Sequence, residues 1–196
     1  MVKLQNVTRA HLGLLLANLV WAVNYPFYKV LMPHYITPVA LATFAVTVAG
    51  LLGLVSLFWG GIEKIDRNDI YKFIGAALLM GIAKKLLLMI GMQHTSPIEA
   101  SIIATLGPIL VLVFSFFFGI DRFTPMKVFG MVLGMGGALL VILSGGGAVT
   151  SGEKLMGNLF VVGAIAASSF SMVWLKGLIM KYRPITVLRV YYPMAA

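Results

Sequence analysis

The sequence predicts an all-α polytopic membrane protein with six full transmembrane helices and the start of a seventh. Three observations carry that reading. Hydrophobic residues make up 60% of the chain and charged residues only 11%, where a soluble domain carries roughly 25%. Mean hydropathy is +0.99, and the charges cluster, leaving windows of about 20 residues nearly free of them, the length needed to cross a bilayer. Within those windows, as in "SIIATLGPILVLVFSFFFGI", polar and apolar residues do not alternate, which excludes the roughly 10-residue alternating strands of a membrane β-barrel.

The windows are 12–32, 39–59, 70–92, 98–120, 125–144 and 155–179, and a further apolar segment opens at Pro184 and runs to Ala196. The start "MVKLQNVTRA" is basic, but the apolar stretch behind it is long, lacks a small-x-small cleavage site and precedes further spans, so it is not a cleaved signal peptide. Ser96 and Pro97 read as a helix start, with Glu99 as the capping-box partner of Ser96. Asp121, Arg122, Thr124 and Pro125 mark the turn into the fifth window as a cap. The connections are short: "GGIEKIDRND" is the most charged and "GGGAVTSGEK" the richest in glycine. Neither can hold a catalytic domain, so the function resides inside the helix bundle.

The formal net charge of +9 is explained by topology. With alternating crossings, one side holds Lys3, Arg9, Lys64, Arg67, Lys72, Arg122, Lys127, Lys176, Lys181 and Arg183, and the other only Lys29 and Lys154. The basic side is the cytoplasmic one, which places the N-terminus there. No soluble module carries a basic patch with stacking aromatics, so no nucleic-acid role is expected. Cysteine is absent, which removes disulfide and thiolate chemistry. His11, His34 and His94 are scattered at span ends with no carboxylate at ligand spacing, so neither a metal nor another cofactor is expected. No Ser-His-acid set, phosphate loop or pair of intramembrane carboxylates appears, and an enzyme is not expected.

The chain also repeats. "FYKVLMPHYITPVAL" (27–41) aligns with "WLKGLIMKYRPITVL" (174–188): Lys29 meets Lys176, Tyr35 meets Tyr182, and Pro38 meets Pro184 once a residue is skipped. Five spans separate the copies, and an odd number inverts the second copy in the membrane, as in secondary transporters whose site lies between the halves. Residues 1–148 then form a first repeat of five spans and 149–196 the beginning of a second. A full second repeat would need about 100 further residues at about 20 per span, so an incomplete transporter is expected.

Three stretches resemble the EamA-type repeat of the drug/metabolite transporter superfamily: "ANLVWAVNYPFYKVLM" in the first span, "TSPIEASIIATLGPILVLVFSFFF" in the fourth, and "DRFTPMKVFGMVLGMGGALLVI" leading through the fifth. Their order and spacing cover essentially the whole chain. The resemblance implies a ten-helix exporter of amino acids, metabolites or drugs, with the substrate path between the halves and the fifth helix of each repeat at the periphery. Three positions depart from the family's pattern. Ala45 stands where an arginine is frequent, Asp121 where glutamate is common, and Lys84 and Lys85 where small or amide residues are usual.

Lys84 and Lys85 are the strongest candidates for a substrate pathway. They lie 8–9 residues below the boundary at Gln93, roughly 12–14 Å at the helical rise, beyond the about 6 Å reach of a snorkelling side chain. A charge there is costly unless it faces a cavity or a partner, and no carboxylate lies at comparable depth. A positively charged cavity is expected, against the alternative that a shifted or broken third helix carries both lysines to an interface.

Asn24 is a second candidate, because Pro26 would break the first helix beside it; the plainer reading is a proline kink with Asn24 bonded to a neighbouring helix. Lys29 either joins the pathway or snorkels at the boundary. Ser101 and Thr105 share a face with Pro108 at i, i+4 and i+7 and line either the path or a helix contact. Gly130 and Gly134 form a GxxxG pair suited to close packing, and offer the face of a homodimer.

The expected function is secondary transport by alternating access: export of small anionic or zwitterionic metabolites, amino acids or drugs across the plasma membrane, a bacterial inner membrane. The rival from another class is a non-transporting scaffold or partner-dependent subunit, which would show a fully packed apolar interior. The expected partners are a small-molecule substrate and the lipid bilayer.

Overall fold

The computed structural model describes residues 2–32, 34–59, 63–144 and 152–196. Among the described residues all regular structure is helical, and five helices are long and apolar enough to cross a membrane: Thr8–Leu31, Pro38–Phe58, Arg67–His94, Pro97–Phe117 and Gly152–Trp174. The glycine-rich connection 145–151, with the boundary expected between residues 148 and 149, lies outside the described residues.

α1 (Val2–Leu31) runs unbroken through Pro26, so the expected break beside Asn24 is absent. Asn24 instead donates to the Val20 carbonyl of its own helix at 3.2 Å, which is neither the broken helix nor the cross-helix bond. α2 (Pro38–Val55) starts where Thr37 accepts from the Ala40 N–H at 3.3 Å and Pro38 fills the first turn, a position where its missing donor is not needed.

The third span is one rod built from α3 (Ile70–Ala76), a π-helical stretch (Ala77–Ala83) and α4 (Lys84–His94). In it the Lys84 N–H reaches the Leu79 carbonyl, one residue further back than in an α-helix, a widening often found at functional positions.

The fourth span divides into α5 (Pro97–Ala104) and α6 (Gly107–Phe117). Pro108 has no N–H to offer the Ala104 carbonyl, and the Thr105 and Leu106 N–H groups bond three residues back, to Ile102 and Ile103, both at 3.0 Å. The expected single face of Ser101, Thr105 and Pro108 is therefore interrupted. Gly119, at φ +66°, turns the chain toward α7 (Pro125–Ser144). α8 (Gly152–Trp174) ends five residues before the expected boundary, followed by α9 (Lys176–Lys181) and α10 (Pro184–Ala195).

α4 and α8 form the most extensive contact, and glycine makes it possible. A Cβ on Gly91 would stand 2.8 Å from the Gly157 carbonyl oxygen, and one on Gly157 would stand 2.9 Å from the Gly91 oxygen. Around this crossing Leu88, Met89, Met92, Val161 and Ala164 are buried with Met32 and Ile103. α10 lies on α2 and against the π stretch, close enough that Cβ atoms on Gly50 and Gly81 would fall within 2.6 Å of Ala196 and Ala195.

Each end of the bundle is tied by ions. At one end Lys181 pairs with Asp66, and with Asp69 at 2.6 Å, while the buried Tyr182 hydroxyl donates to Asp69 at 3.0 Å. The two aspartates hold the Lys181 ammonium above its ordinary range, Asp66 contributing most. At the other end Glu99 meets Lys154 and Lys29 reaches the end of α4.

Candidate functional site

Lys84 and Lys85 open α4 directly after the π stretch, and both line a cavity of about 300 Å³. Its wall is built from α1 (Trp21, Asn24, Tyr28), α2 (Ala45, Val46), the π stretch (Met80, Gly81) and α10 (Tyr191, Tyr192). Neighbouring positions on a helix diverge by about 100°, and the two side chains accordingly differ in their surroundings. The Lys84 amine stands 5.4 Å from the Trp21 ring centroid. The Lys85 amine stands 5.8 Å from the Tyr28 ring centroid and 3.4 Å from its hydroxyl oxygen.

Each lysine also borders a further space. Lys84 opens onto a cavity of about 510 Å³ between α1, α6 and α8, and Lys85 onto one of about 220 Å³ beside α2 and α10. Among the described residues, no aspartate or glutamate side chain lines any of the three. Cation–π contacts contribute about 0.5–2 kcal/mol, much less than an ion pair would recover at depth.

The other candidates are distributed differently. Asn24 lines the lysine cavity. The Lys29 amine donates to the carbonyls of Met92, Gln93 and Thr95 at 3.2, 3.0 and 3.0 Å, so it closes the last turn of α4, where a cation meets the negative end of the helix dipole. The Ser101 and Thr105 hydroxyls donate within their own helix, to Ile98 at 2.7 Å and Ile102 at 2.6 Å. The structure thus joins Asn24, Lys84 and Lys85 and separates Lys29, Ser101 and Thr105 from them.

Gly134 is taken up within the chain, since a Cβ there would stand 2.9 Å from Ile109 Cδ1, whereas Gly130 faces open space. Among the described residues no group of three His, Cys, Asp or Glu side chains could hold a metal ion.

Sequence reasoning passed over two features. Trp21 and the tyrosines Tyr28, Tyr191 and Tyr192 form an aromatic lining; the alignment of Trp21, Asn24 and Tyr28 at i, i+3 and i+7 on α1 was the available signal. Glu99 completes only half of the capping box. Ser96 accepts from its N–H at 3.2 Å, while its carboxylate turns to Lys154 at 2.6 Å and to Asn158 at 3.3 Å, both on α8.

Comparison with known proteins identifies relatives of the chain. The EamA-like transporter family matches residues 8–143. An uncharacterized transporter of Archaeoglobus fulgidus is 25% identical over 79% of the chain and 53% of its own length. The uncharacterized transporter YvbV of Bacillus subtilis is 27% identical over 89% of the chain and 54% of its own length. The chain therefore spans about half the length of these relatives. No solved structure matches. Family and relatives alike are named for transport rather than catalysis, and with several apolar helices they make this a multi-pass membrane protein. A match across residues 8–143 covers well over half the sequence, and the chain belongs to the EamA-like transporter family.

Proposed function

We propose that this chain forms the Lys84/Lys85 half of a secondary transporter that exports small anionic or zwitterionic metabolites across the plasma membrane by alternating access. In this reading residues 1–148 are a five-span repeat and 149–196 begin its inverted partner, six full spans and the start of a seventh, with the N-terminus in the cytoplasm. Asn24, Lys84 and Lys85 border the substrate path.

The observation that carries the reading is the pair of lysines on a cavity that, among the described residues, no aspartate or glutamate side chain lines. Amines at this depth are retained at a cost only where a cavity or partner offsets it, and an anionic ligand supplies charge-assisted bonds to both.

The test is ligand binding by the chain in lipid nanodiscs, over a panel of carboxylates, amino acids and matched amines. Carboxylates and amino acids should bind above the amines, and Lys84→Met, Lys85→Met should weaken them about tenfold or more. Equal binding of matched amines, or no effect of the double substitution, overturns the proposal.

A further inference from the structure

Resting on the anion-binding reading above, we infer that the preferred ligand is an amphipathic monoanion, its acid group at Lys84 and Lys85 and its apolar tail in the neighbouring cavity. That cavity, about 510 Å³, shares Trp21, Lys84 and Leu88 with the lysine cavity. The two spaces therefore border the same amine and the same indole. Both fall within the size range of small-molecule sites.

Chemistry changes sharply across the junction. Beyond Lys84 the wall is made by Tyr25, Ala104, Val111, Ile165 and Met172, and Ala104, Gly107 and Ala164 keep it open. Ser168 and Ser169 add hydroxyls to that of Tyr25 there, and Ser169 donates to the Gly107 carbonyl at 3.2 Å. Among the described residues, Lys84 is the sole charged side chain on this wall. A second charge at the far end of a ligand would find no counter-ion, which disfavours dicarboxylates and polyphosphates. A hydrocarbon or aromatic tail finds apolar walls and leaves its own hydration shell behind on entering. The Lys84 amine lies over the Trp21 face, so a tail leaving the acid group passes along that ring.

The experiment measures binding of acetate, butyrate and hexanoate, with hexan-1-ol and hexylamine as matched tails, to the chain in nanodiscs after subtraction of empty discs. Affinity should rise about fourfold per methylene along the carboxylates, and hexanoate should exceed hexan-1-ol and hexylamine. Ala104→Leu and, separately, Ser168→Leu should shrink the ratio of hexanoate to acetate affinity toward one. Equal binding of the three acids, all weakened by Lys84→Met, overturns the tail site and leaves the anion reading standing. Binding of hexan-1-ol or hexylamine as tight as hexanoate, insensitive to Lys84→Met, overturns both. The chain-length series in the unsubstituted protein decides the tail site even if neither leucine variant folds.

Discussion

The Glu99 carboxylate meets the Lys154 ammonium at 2.6 Å, joining the first turn of α5 to the first turn of α8. Asn158 adds a bond to Glu99 at 3.3 Å, and the Thr95 hydroxyl lies between Glu99 and Asn158. The Glu99 side chain is only 7% exposed and that of Lys154 28%, so removing the cation leaves a buried carboxylate short of one partner. Lys154→Met should therefore destabilise the chain by about 2–3 kcal/mol, read from thermal unfolding in detergent. Glu99→Gln added to it should recover part of the loss. Unchanged unfolding of the single variant would contradict the role of the pair.

The α4–α8 crossing predicts a contrast between glycines. Gly91→Ala places a Cβ 2.7 Å from Val161 Cγ2 and 2.8 Å from a backbone carbonyl, so the helices must part, at a cost of about 1–3 kcal/mol. Gly130→Ala meets nothing within 4 Å and should be neutral or stabilising, since alanine is the better helix former by about 1 kcal/mol. Equal stability of the two variants would show that the crossing tolerates separation.

Lys29→Met should act through stability. Its three bonds to the end of α4 contribute about 1–2 kcal/mol as a helix-terminal cation. Anion binding should weaken less than in Lys84→Met; a larger loss of binding than of stability would return Lys29 to the substrate path.

Asp121 accepts from the Lys127 amine at 2.7 Å and the Arg122 N–H at 2.8 Å. Lys127 foremost, with the Arg122 N–H, holds the carboxyl below its ordinary value of 3.8. A depressed folded value means the contribution is complete above the unfolded value and is lost as pH falls through the folded one. Asp121→Asn should lower folded yield at neutral pH, and the difference from the unsubstituted chain should begin to shrink only as pH falls below the ordinary value of 3.8 and vanish below the depressed folded value. A change of ligand preference at unchanged yield would oppose this.

Reporter fusions test the orientation. The lysine and arginine excess predicts that a fusion after Gly61 reports the cytoplasm and one after Gly152 the opposite side. Activity of a periplasm-only reporter at Gly61 would reverse the topology.

The sequence by itself determined whatever depends on neighbours a few residues apart. Charge-free runs marked the apolar helices, because burying unpaired backbone polar groups in lipid permits little else. Ser96–Pro97 marked a helix start, because a cap bonds within its own turn. The expected depth of Lys84 and Lys85 came from counting at the helical rise. Tertiary structure decided the rest. Glu99 had a local role open to it, yet its carboxylate is drawn to Lys154 and Asn158, 55 and 59 positions away, because α8 packs there. Gly91 and Gly157 look like any small residues until two backbones approach at those points. The walls around Lys84 come from α1, α6, α8 and α10, helices whose mutual placement no local pattern encodes. Periodicity fixes which face of a helix is apolar, and only the packing of whole helices settles what that face meets.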